Sequence, residues 1–238
     1  MSDPTGVAAQ LREIRARIEG ACLRVGRSAG GVTLVAVSKT FPADAIRLAV
    51  EAGQRSFGES RLQEALPKVE SLAGSLDWHF IGSVQRNKVR KILPAFHTIH
   101  AVDSLRLAGH VSGVARELGL KPDVFLQVNQ GGEASKGGFE TEDLLRGFHE
   151  IMELPGIHVL GLMSIPPPGE TPECSRKWFR QLREVRDHIA KQKGHALPCL
   201  SMGMSDDFEV AVEEGATHVR VGSAIFGRRA YRVDGELG

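Results

Sequence analysis

Val32-Thr33-Leu34-Val35-Ala36-Val37-Ser38-Lys39-Thr40 is an apolar run that ends on a lysine. Residues 33–38 are of high β-propensity or small apolar character and show no polar alternation, the pattern of a strand covered on both faces. Pro42 follows at once and opens a helical pattern over Ala45, Ile46, Ala49 and Val50, which Gly53 closes. A lysine at the carboxyl end of such a strand leaves an apolar wall where loops gather. Desolvation there disfavours the ammonium, and a neutral amine is the nucleophile that forms Schiff bases. Taken alone, the segment reads more simply as a strand-end lysine reaching solvent.

The same unit recurs on either side of this stretch. Upstream, Leu11, Ile14, Ile18, Cys22 and Val25 recur at three- and four-residue steps, predicting an amphipathic helix over 5–29 that Gly30-Gly31 stops. Downstream, residues 55–57 lead through Gly58-Glu59-Ser60-Arg61 to a helix reaching 72, bent at Pro67. Trp78-His79-Phe80-Ile81-Gly82 precedes a helix over 85–93. Thr98-Ile99-His100-Ala101-Val102 precedes one over 104–118. Val124-Phe125-Leu126-Gln127-Val128-Asn129 runs into a Gly-rich loop, and its helix starts near Thr141 with Glu142 and Asp143 in the first turn. His158-Val159-Leu160-Gly161-Leu162-Met163 leads to a Pro-rich loop and a helix over 173–193, its buried stripe Trp178, Leu182, Val185 and Ile189. Leu197-Pro198-Cys199-Leu200-Ser201 leads to a helix over 206–214 that Gly215 closes. Thr217-His218-Val219-Arg220-Val221 ends on Gly222-Ser223.

Eight strands, each followed by a helix, without a linker or composition shift, imply a parallel sheet. At this length they predict an α/β fold with one closed (β/α)8 TIM barrel, a single domain over 1–238 preceded by an N-terminal helix. An open doubly wound sheet is the alternative, but no GxGxxG follows the first strand. In a barrel, the carboxyl ends of all strands share one mouth. Lys39, Glu59, Gly82, Asp103, Asn129, Met163, Ser201 and Gly222 are expected to ring it.

The 238 residues are 42% apolar and 25% charged, with a net charge of +1, which argues against nucleic acid or an acidic membrane surface as partner. The start has no basic, apolar leader pattern. The longest uncharged run, residues 154–169, is too short and too proline-broken to span a bilayer. Cys22, Cys174 and Cys199 lack any CxxC spacing and read as free thiols in a reducing cytoplasm. No exposed heptad or long apolar stripe argues for a fixed oligomer, so a monomer or weak dimer is expected.

Barrels often hold phosphate on the loops after strands seven and eight. Here those loops are Ser201-Met202-Gly203-Met204-Ser205 and Gly222-Ser223-Ala224, with hydroxyls and backbone N–H groups that suit an anion. Ser201, Gly222 and Ser223 are the better candidates; Ser205 reads as the N-cap of the helix that begins Asp206-Asp207. Arg220, two residues before Gly222, shares its face with Gly222 and His218. Either it pairs with a barrel carboxylate or it aims a fixed cation at a ligand acceptor. The loop over 131–138 lacks the GxxxxGK[ST] order and reads as a cover over the mouth. His97 and His100 have metal-like spacing, but a strand points them to opposite faces and no third ligand is evident. The basic residues between 176 and 193 form a solvated helix face, and 5% aromatic content is too little for a base-stacking platform.

Several segments, in order over nearly the whole chain, resemble the pyridoxal 5′-phosphate (PLP) homeostasis, or PLP-binding, proteins, whose barrel is similar to the N-terminal domain of alanine racemase. They are Val35-Ala36-Val37-Ser38-Lys39-Thr40, Phe57-Gly58-Glu59 with Gln63-Glu64, and Trp78-His79-Phe80-Ile81-Gly82 with Gln85-Arg86-Asn87-Lys88. Gln127-Val128-Asn129, Ser135-Lys136-Gly137-Gly138-Phe139 and Gly161-Leu162-Met163 follow. The last are Leu200-Ser201-Met202-Gly203-Met204-Ser205-Asp206 and Val219-Arg220-Val221-Gly222. The resemblance implies that Lys39 carries PLP as a Schiff base, that Arg220 faces the pyridine nitrogen, and that Ser201, Gly222 and Ser223 hold the phosphate. It implies that His79 and Met163 line the ring pocket. Ser60 stands where the family usually has Asn, and Ser223 where it often has Thr.

A permanent cation beside the pyridine nitrogen disfavours its protonation and makes the ring a weaker electron sink. A racemase also needs a second base on the opposite face. Racemases of this fold take it from a further β-domain, whereas here the barrel consumes the chain by about Phe226 and the one tyrosine is Tyr231. The expectation is therefore a cytosolic PLP carrier in vitamin B6 homeostasis, without robust catalysis, with PLP-dependent apo-enzymes as partners. The alternatives are a small PLP-dependent amino-acid racemase and a phosphate-binding barrel enzyme that uses no PLP.

Overall fold

The computed structural model describes residues 4–72, 74, 76–131 and 137–227. β1 (Thr33–Val37) pairs in parallel with β2 (Ser56–Glu59) on one side and with β8 (His218–Val221) on the other. Between them run β3 (Asp77–Phe80), β4 (Thr98–Val102), β5 (Asp123–Gln127), β6 (His158–Met163) and β7 (Cys199–Met204). The eight strands close in sequence order into one parallel barrel. The expected (β/α)8 architecture is present, with α1 (Pro4–Arg24) ahead of it.

The connecting helices are α2 (Ala43–Glu51), α3 (Leu62–Ser71), α4 (Val89–Ile92), α5 (Leu105–Glu117), α6 (Thr141–Met152), α7 (Arg176–Lys193), α8 (Phe208–Glu213) and α9 (Ser223–Phe226). Most lie within a few residues of their expected bounds. The departures have local causes. The 85–93 segment is one 3-10 turn, Arg86–Lys88, followed by the short α4, and the 173–193 segment opens with a 3-10 turn at Pro172–Ser175. α7 buries Phe179, Leu182 and Ile189 instead of a stripe led by Trp178, and Trp178 is half-buried with the Lys177 ammonium 4.8 Å from its ring centre. Pro67 sits inside α3 as expected.

Alternation along each strand sorts two sets of side chains. Leu34, Ala36, Phe57, Trp78, Phe80, Ile99, Val124, Leu126, Leu162, Leu200, Val219 and Val221 belong to the apolar layer shared with the helices. The other set fills the barrel. It includes Val35, Phe125 and Met163, and also His79, His100, Ser201, His218 and Arg220. The interior thus mixes apolar groups with a polar line, unlike the branched aliphatic layers usual in such barrels. α1 packs over α8, where Arg17 pairs with Glu209 at 2.7 Å and Arg24 with Glu213 at 2.6 Å.

No helix among the described residues is long and apolar enough to cross a membrane. Cys22, Cys174 and Cys199 are free thiols. The described residues contain no cluster of histidine, cysteine and acidic groups that could hold a metal. Residues 132–136 of the expected mouth loop, including Ser135 and Lys136, and Tyr231 lie outside the described residues.

Candidate functional site

Lys39 leaves β1 in a tight turn. The Phe41 N–H donates to the Ser38 carbonyl at 3.1 Å, and Thr40 adopts φ +71°. Thr40 is the one described non-glycine residue in the left-handed region, an unfavourable place for a β-branched side chain. Three contacts hold the turn from outside the barrel. The Ser38 hydroxyl donates to Glu59 Oε1 at 2.7 Å, Lys68 Nζ donates to the Ser38 carbonyl at 3.0 Å, and the Thr40 N–H donates to Glu64. Lys68 also pairs with Glu59 at 2.9 Å and Glu64 at 2.7 Å. Burial pushes the Glu59 carboxyl above its ordinary value despite Lys68. Burial also pushes Glu64 up, but Lys68 and the Thr40 amide outweigh it and leave Glu64 below.

The half-buried Lys39 side chain lines a cleft of about 280 Å³ at the carboxyl mouth. Val37, Ser60, Ile81, Ile165, Ser205, Arg220, Gly222 and Ser223 are among its other walls. The seam between β1 and β8 brings the first and last strands together, with Val35 opposite Arg220 and Ala36 opposite Val221. Gly222 lies so close to β1 that a Cβ there would stand 3.2 Å from the Val37 carbonyl oxygen. Its N–H donates to Ser205 Oγ at 3.2 Å, and α9 starts at Ser223. The first-turn amides of a helix have no acceptor within the helix, so this corner offers N–H donors and two hydroxyls to an anion.

Arg220 is buried under the cleft. It donates to Ser201 Oγ at 2.5 Å and to the Ser164 carbonyl at 3.0 Å. Among the described residues neither bond goes to a carboxylate, so the expected alternatives resolve away from a barrel salt bridge. Burial lowers the guanidinium to about 10, with Asp207 opposing the shift. At neutral pH it stays charged and buried against neutral partners, an arrangement costly without an acceptor in the cleft.

The chain matches the family of the alanine racemase N-terminal domain over residues 10–230. It is 46% identical over 223 residues to the pyridoxal phosphate homeostasis protein of Aquifex aeolicus, covering 93% of this chain and 98% of that one. The protein of that name in Escherichia coli K12 is 39% identical, covering 94% of this chain and 97% of its relative. This chain belongs to the pyridoxal phosphate homeostasis protein family. PipY of Synechococcus elongatus, solved with PLP bound, matches with TM-score 0.83 and 38% identity over 93% of this chain and all of PipY. Alanine racemase of Clostridium difficile shares the fold alone, with TM-score 0.73 and 16% identity over 96% of this chain and 61% of the racemase.

Within this pyridoxal phosphate homeostasis family member, Lys39, Arg220, Gly222 and Ser223 meet at one cleft. Three other expected residues lie beneath it. Ser201 was expected at a strand end holding phosphate. β7 instead runs on to Met204, so Ser201 sits mid-strand, fully buried, with its hydroxyl engaged by Arg220 and His100. His79 is 2% exposed in mid-β3 and faces Asp77 and His100. Met163 is 1% exposed and packs with Ala101 and Phe125 inside the barrel.

Ser205 corrects the sequence reading in the other direction. Asp207, not Ser205, stands at the N-cap of α8, and its carboxylate accepts the Met204 N–H at 2.7 Å. Ser205 is left to face Gly222 and the cleft. Its signal was its place just past the end of β7, two residues after Gly203, whose φ is +91°. Ser60, the departure from the family pattern, lines the cleft, and Gly82 passes so near it that a Cβ would lie 2.3 Å from the Ser60 carbonyl oxygen.

Proposed function

We propose that this protein holds pyridoxal 5′-phosphate on Lys39 as a Schiff base and serves intracellular vitamin B6 homeostasis as a carrier of the cofactor. The observation that carries the reading is the meeting of four groups on one cleft: the Lys39 side chain, the Arg220 guanidinium, which bonds no carboxylate among the described residues, and the Gly222 and Ser223 corner. Bound PLP supplies an aldehyde that condenses with a lysine amine with loss of water, an aromatic nitrogen that accepts a hydrogen bond, and a phosphate. The residues present suit each part. Lys39 supplies the amine, and Arg220 supplies an N–H cation to the nitrogen. Gly222, Ser223 and Ser205 supply donors to the phosphate, with Ser205 taking the place first given to Ser201.

The reading extends to a cytoplasmic protein, one barrel domain over 1–238, acting as monomer or weak dimer and passing PLP to apo-enzymes, without robust catalysis of its own. A donor at the ring nitrogen that keeps its proton leaves the ring a weak electron sink. The names of the relatives support a homeostasis role.

Borohydride reduction of the PLP-treated protein, followed by peptide mass mapping, tests the attachment. A phosphopyridoxyl group on Lys39 is expected, and its absence sinks the reading in favour of a barrel that uses no PLP. Stereospecific amino-acid turnover that vanishes in Lys39→Ala would instead establish a racemase.

A further inference from the structure

A hydrogen-bonded line of polar side chains runs through the barrel from its amino-terminal mouth to Arg220. Asp77 opens β3 with its side chain 44% exposed, and its Oδ2 lies 2.6 Å from His79 Nε2. His79 Nδ1 lies 2.9 Å from His100 Nε2, and His100 Nδ1 lies 2.8 Å from Ser201 Oγ. Arg220 completes the line at 2.5 Å from the same oxygen. Four strands, β3, β4, β7 and β8, each contribute.

Counting protons fixes the order of these bonds. A guanidinium only donates and a carboxylate only accepts. Ser201 Oγ therefore accepts from Arg220, and His79 Nε2 carries a proton toward Asp77. With both rings neutral, His79 Nδ1 must accept, so His100 carries its proton on Nε2. His100 Nδ1 then accepts the Ser201 hydroxyl proton. Every donor points the same way, from Arg220 toward Asp77. A proton added to His79 reverses the middle of the line. His100 must then hold its proton on Nδ1 and donate to Ser201, whose own proton swings away.

The surroundings favour the neutral state of His100. Burial holds it well below its ordinary value, and His79, Arg220 and His218 add to the effect. Polar and titratable groups from the strands and strand ends around it face the line. Ser56 of β2 donates to Asp77 at 3.1 Å, and His97, just before β4, stands 4.0 Å from Asp77. His218 of β8 stands 6.1 Å from the His79 ring, and Asp207 acts on Arg220 from beyond β7.

We infer that His100 is a positioning residue for Arg220, acting through Ser201, and that its tautomer is set from the far end of the barrel by Asp77 and His79. The tautomer assignment stands without any ligand; the consequence for the cleft rests on the PLP reading. A fixed Ser201 oxygen holds the guanidinium under the cleft, so the line governs how firmly the ring nitrogen is met.

Long-range proton–nitrogen correlation spectra of the imidazoles in the full-length protein, without PLP and at neutral pH, read the tautomers directly. The Nε2–H form is expected for both His79 and His100. Asp77→Asn, which removes the charge that orders the line, is expected to populate the Nδ1–H form at both. An Nδ1–H form of His100 in the unaltered protein, or an unmoved His100 in Asp77→Asn, overturns the proposal. A PLP titration provides the second arm. His100→Phe, and Ser201→Ala as an independent variant, are expected to weaken PLP binding about tenfold, the size of a lost hydrogen bond to a charged group, and to move the visible band. His100→Asn, which keeps an acceptor near the Nδ1 position, restores both. Unchanged affinity and band in His100→Phe and Ser201→Ala overturn the positioning role. If unaltered protein carries no adduct on Lys39, the PLP reading fails while the tautomer spectra still decide the line.

Discussion

Lys68 and Glu59 form a buried ion pair, 2.9 Å apart, on the outer side of the barrel behind the Lys39 turn. Glu59 Oε2 has no hydrogen-bond partner among the described residues, so Lys68 is the cation that compensates it. Lys68→Met is expected to cost about 3 kcal/mol, the usual loss on breaking a buried pair. Without Lys68 the Glu59 carboxyl is favoured in its protonated form in the folded state. The fold then binds more protons than the unfolded chain, so stability falls as pH rises above the ordinary carboxyl value of 4.5. Urea unfolding of the variant across pH checks the sign, and adding Glu59→Gln should recover part of the loss.

The barrel histidines act in the opposite sense. His218 is lowered to about 4, first by burial and then by His79, with Asp77 opposing and Arg220 adding to the lowering. His100 is lowered in the same direction by burial. At His218 the unfolded chain binds more protons than the fold between about pH 4 and 6.5, so the stability this ring contributes is complete above 6.5 and is lost as pH falls toward 4, and His100 acts in the same direction. For His218 alone the loss amounts to roughly 3 kcal/mol. Because Glu59 works against this trend, the difference between unaltered protein and His218→Asn isolates it. The variant's midpoint temperature should vary less between pH 7 and 4.5.

Thr40 carries local backbone strain to hold the turn after Lys39. Thr40→Gly relieves it and is expected to stabilise the fold by about 0.5–1 kcal/mol after the glycine entropy penalty. Thr40→Pro removes the N–H that Glu64 accepts and cannot adopt the positive φ, so it should destabilise. Thermal unfolding of the two variants should give midpoint shifts of opposite sign.

Two glycines separate function from fold. A Cβ on Gly222 would stand 3.2 Å from Val37, a contact that a small shift relieves, but the shift would move the corner that faces the cleft. Gly222→Ala should fold normally and bind PLP at least about tenfold more weakly. A Cβ on Gly161 would stand 1.8 Å from the Cys199 carbonyl oxygen, inside the β6–β7 pairing. Gly161→Ala should lose about 3 kcal/mol of stability. Titration and denaturation of both variants distinguish the roles.

Lys39 and Gly222 could be placed from sequence because punctuation marks their strand ends: Pro42 after one, and a glycine followed by a helix start after the other. Ser201 could not. Met202-Gly203-Met204 continues β7 through a positive-φ glycine that reads like a turn, so the sequence pattern ends the strand three residues early. The histidine line was hidden for a related reason. In strands apolar on both faces, alternation separates two sets without saying which one faces inward. His79, His100 and His218 were visible individually, but only barrel closure puts them within ring contact.

That closure has a kinetic consequence. The cleft lies across the β1–β8 seam, where the first strand meets the last. Pairings so distant in sequence close late, after the cost of fixing a long loop has been met. A partly folded chain can bury much of its apolar surface and still lack the facing pair of Lys39 and Arg220. Capacity to bind a ligand across the seam therefore appears together with the completed ring of strands, and its onset during refolding times the closing of the barrel.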